Sequence, residues 1–156
     1  MTTCVVLPPL GQPVHHHPHA LVNVPLKGVF FLIQRLLPQM NDGGRILNLS
    51  SGLARFALPG YAAMKGAVEV LSRYLAQELG PRGIAVNVVA PGAIETDFGG
   101  GAVRDNAQLN AFIAGQTALG RVGLPDDIGP LVVVLLQPAT RWLNAQRNEA
   151  SGGMFL

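Results

Sequence analysis

Residues 59–92 read PGYAAMKGAVEVLSRYLAQELGPRGIAVNVVAPG, and this stretch decides the fold class to expect. Met64, Val68, Leu71, Leu75 and Leu79 recur at steps of three and four, which is one face of an α-helix over 61–79. Gly80-Pro81 stops that helix. Gly83-Ile-Ala-Val-Asn-Val-Val-Ala90 follows as a nearly unbroken apolar run, the pattern of a strand covered on both faces. Pro91-Gly92 then turns the chain out of it. Upstream, Gly44-Arg-Ile-Leu-Asn-Leu-Ser50-Ser51-Gly52 reads as a second short strand, 45–50, ending in small polar residues. Strand, helix, strand in this order implies parallel pairing through a right-handed crossover. The expected class is α/β.

Working outward, Leu26, Phe30, Ile33, Leu37 and Met40 form another helical stripe over 26–40, with Pro25 suited to a first-turn position. Val29, Phe31, Leu32 and Leu36 widen the stripe until little polar face remains, so this helix needs cover on two sides. On the helix over 61–79, Glu69 and Arg73 are expected to form an exposed pair. Beyond the second strand come Gly99-Gly100-Gly101, a helical stretch near 105–115, and a helix opened by Pro125-Asp126-Asp127. The Val132–Leu136 run of that helix is expected to be buried, and a last strand is expected near 143–150.

Composition narrows the function classes. With 156 residues, 49% of them hydrophobic and 13% charged, the chain has material for one folded core. A net charge of +2 without a run of Lys or Arg argues against nucleic-acid binding. Cys4 is the single cysteine, which precludes an internal disulfide framework and suits a cytoplasmic protein. The start lacks a basic flank and is interrupted by Pro8-Pro9, so it makes a poor secretory signal. No run reaches the ~20 apolar residues of a membrane span. Residues 1–20 carry Pro8, Pro9, Pro13 and Pro18 together with His15, His16, His17 and His19. They are expected to be a disordered arm ahead of a domain over 21–156, and no second ligand cluster turns those histidines into a metal site.

Tyr61-Ala-Ala-Met-Lys65 carries the chemistry. Residues four apart share a helix face, so the phenol and the ammonium point the same way. A phenol is largely protonated at neutral pH, and a neighbouring cation favours its phenolate form. The pair is suited to passing a proton near pH 7, as carbonyl reduction or alcohol oxidation requires. Asn-Leu-Ser-Ser, Tyr-x-x-x-Lys, Val-Asn-x-Val-Ala-Pro-Gly and Gly-Arg-Val-Gly-x-Pro-Asp-Asp occur in that order between Asn48 and Asp127. This succession resembles the short-chain dehydrogenase/reductase family, with likeness extending from about Val22 to Gly153.

The resemblance implies a Rossmann-like parallel sheet flanked by helices, of which this chain would hold the second half, the N-terminal nucleotide-binding half being missing. It implies NAD or NADP as cofactor and a small carbonyl or alcohol as substrate. Tyr61 would be the catalytic acid/base, Lys65 would assist it and hold the nicotinamide ribose, and Ser51 would bind the substrate oxygen. Pro91, Gly92, Ile94 and Thr96 would lie along the nicotinamide. Asn23 is the nearest counterpart of the family's proton-relay asparagine. Three features depart from the family pattern. No Gly-x-x-x-Gly-x-Gly occurs ahead of Val22, Ser51 precedes Tyr61 by only ten positions, a shorter interval than usual, and Asn23 sits about two positions early relative to Phe30. Two readings of activity therefore stand: an NAD(P)-dependent oxidoreductase, or an inactive fragment that acts only by associating. The helices over 26–40 and 61–79 match the family's usual dimer surface, so a homo-oligomer is expected.

Overall fold

Val86, Val88, Val89 and Ala90 are almost completely buried because β2 (Ala85–Pro91) runs between two parallel neighbours. The computed structural model describes residues 22–55 and 59–156, and the arm expected over 1–20 lies outside them. β1 (Arg45–Leu49) pairs with β2, setting Ile46 opposite Val86 and Asn48 opposite Val88. β3 (Arg147–Ala150) pairs along the other side, with Asn148 opposite Val89. The order β1-β2-β3 makes a partial Rossmann-like sheet with β1 at one edge of the described strands.

Helix α1 (Val29–Leu36) precedes β1, α2 (Pro59–Leu79) joins β1 to β2, and α3 (Ala107–Gly115) and α4 (Pro125–Leu135) lie between β2 and β3. The central hydrophobic cluster is Ala76 and Leu79 of α2 against Ile84 and Val86, with Leu37, Met40, Ile46 and Leu75 around it. Each large aliphatic side chain fully buried there contributes about 1.5–3 kcal/mol. Among the described residues the buried side-chain polar atoms are paired, as burial demands, except for Arg45 Nε. Asn48 Nδ2 donates to Ser72 Oγ at 2.8 Å, and Ser72 Oγ donates to Val68 O at 2.7 Å, which ties β1 to α2. Asn87 donates to Leu143 O and accepts from the Gln146 N–H, which ties β2 to the approach of β3.

The helix expected over 26–40 is divided into three. A π-helical turn at Asn23–Gly28 leads into α1, and a 3₁₀ turn at Leu37–Gln39 follows. Pro38 accounts for the second change, since it lacks the N–H that an α-helix would use there. The last strand begins at Arg147, later than 143, because Ala145 takes φ 60° and interrupts the extended backbone.

Two further expectations are corrected. The Val132–Leu136 run is only partly covered: Leu135 is buried, while Val133, Val134 and Leu136 are exposed. Five consecutive helical residues point all the way round the axis, and α4 meets the fold along one side only. Glu69 does not pair with Arg73, which is exposed; it turns inward to Arg147 of β3.

Candidate active site

The C-terminal ends of β1 and β2 open onto a cavity of about 470 Å³, the place where open α/β sheets bind ligands. Ser50, Ser51, Tyr61, Pro91, Gly92, Ile94 and Thr96 all line it. Its remaining wall is largely apolar and includes Leu49, Leu53, Phe98, Val103, Ile113, Ile128 and Phe155. Among the described residues, no Asp, Glu, Lys or Arg side chain lines it.

The two serines differ in what their hydroxyls do. Ser50 Oγ donates to Glu69 Oε1 at 2.5 Å, so its proton is engaged by a carboxylate of α2. Ser51 Oγ instead accepts from the Leu53 N–H at 3.2 Å, which leaves its own proton for another acceptor. The Ser51 carbonyl is held by the Ala54 N–H and by Arg147 Nη2. Both serines are buried.

Tyr61 stands in the first turns of α2 and is 9% exposed, with its ring 5.9 Å from that of Phe98. Lys65, one turn on, keeps its Nζ 5.6 Å from the Tyr61 ring centroid, within the range of cation–π attraction. The same ammonium donates to Leu49 O at 2.9 Å, at the end of β1. Helix periodicity alone puts this charge beside the phenol.

Beyond β2, Ile94 bridges in parallel to Gly123. That bridge uses the Ala93 carbonyl and the Glu95 N–H, as the bonds Gly123 N–H to Ala93 O and Glu95 N–H to Gly123 O show. The N–H and C=O of Ile94 itself therefore turn away from Gly123. Thr96 Oγ1 accepts from the Phe98 N–H at 3.2 Å and keeps its proton to donate. Gly92 is packed so closely that a Cβ there would lie 2.8 Å from Ser151 Cα. Asn23 is not brought to this cavity: it is exposed in the π-helical turn and is not among the lining residues.

Behind the serines lies an ionic network that the local reading of the sequence missed. Arg147 Nε donates to Glu69 Oε1 and Arg147 Nη1 to Glu149 Oε2, both at 2.7 Å, and Arg55 Nη2 reaches Glu149 Oε1 at 2.6 Å. Burial pushes the Glu149 carboxyl upward, but hydrogen bonds from Arg147, Arg55 and Ser151 outweigh it and leave the group below its usual range. Arg147 is likewise pulled down by burial and raised further by Glu149 and Glu69. The one available signal was periodicity: Tyr61, Lys65 and Glu69 are spaced four apart on one stripe of α2. In the first turn of α4, hydrogen bonds from Arg121 and the Leu124 N–H hold Asp127 well below the ordinary carboxylate range. Among the described residues, no group of three His, Cys, Asp or Glu is placed to hold a metal ion, and no helix is long and apolar enough to cross a membrane.

Comparison with known proteins identifies the family. The family model described as "Enoyl-(Acyl carrier protein) reductase" matches residues 15–155. Dehydrogenase OXI1 of Cochliobolus heterostrophus is 36% identical over 141 residues, covering 86% of this chain and 61% of that protein. A short-chain type dehydrogenase/reductase of Picea abies is 35% identical over 153 residues, covering 94% and 55%. Among solved structures, a blue fluorescent protein from a metagenomic library, in complex with NADPH, superposes with a TM-score of 0.88 at 33% identity, covering 99% and 62%. The chain thus spans between 55% and 62% of the length of these three proteins. On the family model, the relatives and the shared fold together, the chain belongs to the short-chain dehydrogenase/reductase family.

Proposed function

We propose that this chain carries the reaction centre of an NAD(P)-dependent oxidoreductase interconverting a carbonyl and an alcohol, with Tyr61 as the acid/base. The observation that carries the reading is a single cavity lined by Ser51, Tyr61 and the Pro91–Thr96 turn, with Lys65 beside the phenol. The residues present fit the nicotinamide end of a dinucleotide. Ile94 offers an unbridged N–H and C=O to a carboxamide and Thr96 a hydroxyl, and Pro91 and Gly92 line the same cavity. NADPH in the metagenomic relative supports that assignment. When bound, the reduced nicotinamide supplies a hydride to the carbonyl carbon.

Tyr61 then gives its phenolic proton to the substrate oxygen, and the neighbouring Lys65 charge favours the phenolate left behind. Ser51 donates a hydrogen bond to the same oxygen and stabilises the charge developing on it. Lys65 is also the group to hold the ribose hydroxyls. With no charged side chain in the lining, the substrate favoured is an uncharged, apolar carbonyl compound. Exposed Phe30, Phe31, Leu32 and Leu36 on α1 and Val70 and Tyr74 on α2 support association of two chains through these helices.

Thermal melts with NADH and NADPH, followed by turnover of apolar ketones, test this reading. Stabilisation by at least one cofactor is expected. Tyr61→Phe should keep that stabilisation while losing about 10²–10⁴-fold in turnover. Absence of stabilisation by either cofactor, or full turnover in Tyr61→Phe, would sink it.

A further inference from the structure

The helix α2 docks on the exit of β1 through one stripe of side chains. Lys65 Nζ bonds the Leu49 carbonyl at 2.9 Å, and one turn later Glu69 Oε1 receives the Ser50 hydroxyl at 2.5 Å. Ser50 Oγ also lies 3.5 Å from the Lys65 carbonyl. Two consecutive residues of β1's exit are thus fastened to two consecutive turns of α2. Glu69 is itself fixed from outside the crossover by Arg147 Nε, and the same guanidinium reaches the Ser51 carbonyl at 3.3 Å. Side-chain exposures of 14% for Glu69 and 22% for Arg147 make this a partly buried pair. Such a pair is held more rigidly than a surface one, because losing either partner strands a charge away from water.

We propose that Glu69 and Arg147 are positioning residues for the reaction: together they set the Ser50-Ser51 turn against α2 so that Ser51 and Tyr61 converge on one substrate oxygen. The proposal rests on the functional reading above. It gives physical content to the ten-residue interval between Ser51 and Tyr61. Ser51 is held at its carbonyl by Arg147, a contact from elsewhere in the fold. Arg147 comes from β3, and Glu69 sits two turns beyond Tyr61 on the same face. Neither touches the substrate space, since neither lines the cavity. Their influence passes through Ser50 Oγ and the Ser51 carbonyl.

Glu69→Gln is the informative variant, because it keeps a side-chain oxygen of the same reach while removing the charge that holds Arg147. It should lower kcat by about tenfold or more, since small misplacement of a reacting group is costly, with the KM for cofactor unchanged within about twofold. In a Ser51→Ala background the same substitution should change kcat by less than about twofold, because the residue it positions is gone. A tenfold loss in both backgrounds, or none in either, overturns the proposal. A second readout needs no turnover. Amide hydrogen exchange at Leu53 and Ala54, whose N–H groups bond Ser51, should quicken by about tenfold in Glu69→Gln. Exchange within Val86–Ala90 should stay as it was. Unchanged exchange at Leu53 and Ala54 overturns the positioning role. Quickened exchange at Leu53 and Ala54 in Glu69→Gln, beside a wild-type chain that reduces no carbonyl, would refute the functional reading alone.

Discussion

Gly92 sits where two strand exits come closest. Its N–H donates to Ala150 O at 2.9 Å, and a Cβ would meet both the Cα and the Cβ of Ser151 at 2.8 Å. Gly92→Ala must therefore move the exit of β3 away from the exit of β2, an overpacking strain that costs about 1–3 kcal/mol. Urea unfolding should show that loss as a lower midpoint with an unchanged slope; an unaltered midpoint would mean the contact relaxes freely. The Pro91-Gly92 pair was legible in the sequence as a turn, and Tyr61 and Lys65 as a helix pair, because both signals are local. The roles of Ser50 and Ser51 were less so. Their hydroxyls are told apart by Glu69 and Leu53, and only folding decides which proton is taken. Asn23 stands outside the cavity, and a position near the start of a helix does not say which way that turn faces.

Among the elements, β3 is unusual in carrying Arg147 and Glu149 on one face and Asn148 and Ala150 on the other. An edge strand with so little apolar surface is held by charge, and charge is sensitive to pH. The folded-state pKa of Glu149 lies below its ordinary 4.5. Its contribution to stability is thus complete above about pH 4.5 and is lost as pH falls through the folded value. Asp127, held below its ordinary 3.8, follows the same sign at lower pH. The melting temperature should be level from pH 7 to roughly 5 and then decline. Glu149→Gln should melt lower at pH 7 and decline less steeply; a parallel acid limb in the variant would remove Glu149 from the account. The apolar side of element reading had mixed success. The run in β2 is buried throughout because a central strand has neighbours on every side. The similar run in α4 is not, because a helix turns its residues through the full circle, and composition does not say how many sides are covered.

At the scale of the whole molecule, α1 carries a cluster of exposed large apolar side chains. Ile33 is the buried residue of α1, while Phe31 and Leu32 are 51% and 59% exposed. A paired Phe31→Glu and Leu32→Glu substitution should convert a dimeric chain to a monomer in sedimentation at micromolar concentration. A wild-type monomer would refute association through this face. The parallel order of the sheet was legible from the alternation of strands and helices, since a crossover of that length leaves one handedness open. The same crossovers have a cost in time. Ile46 meets Val86 across 40 residues, and Val89 meets Asn148 across 59. Neither neighbour of the central strand is available locally, so refolding is expected to be slower than that of a helical bundle of similar size. During synthesis at about 5–20 residues per second, β3 trails β2 from the ribosome by roughly 3–12 s. Through that interval Val86, Val88 and Val89 present an unpaired edge, which makes the nascent chain a client for whatever holds apolar segments apart until the last strand arrives.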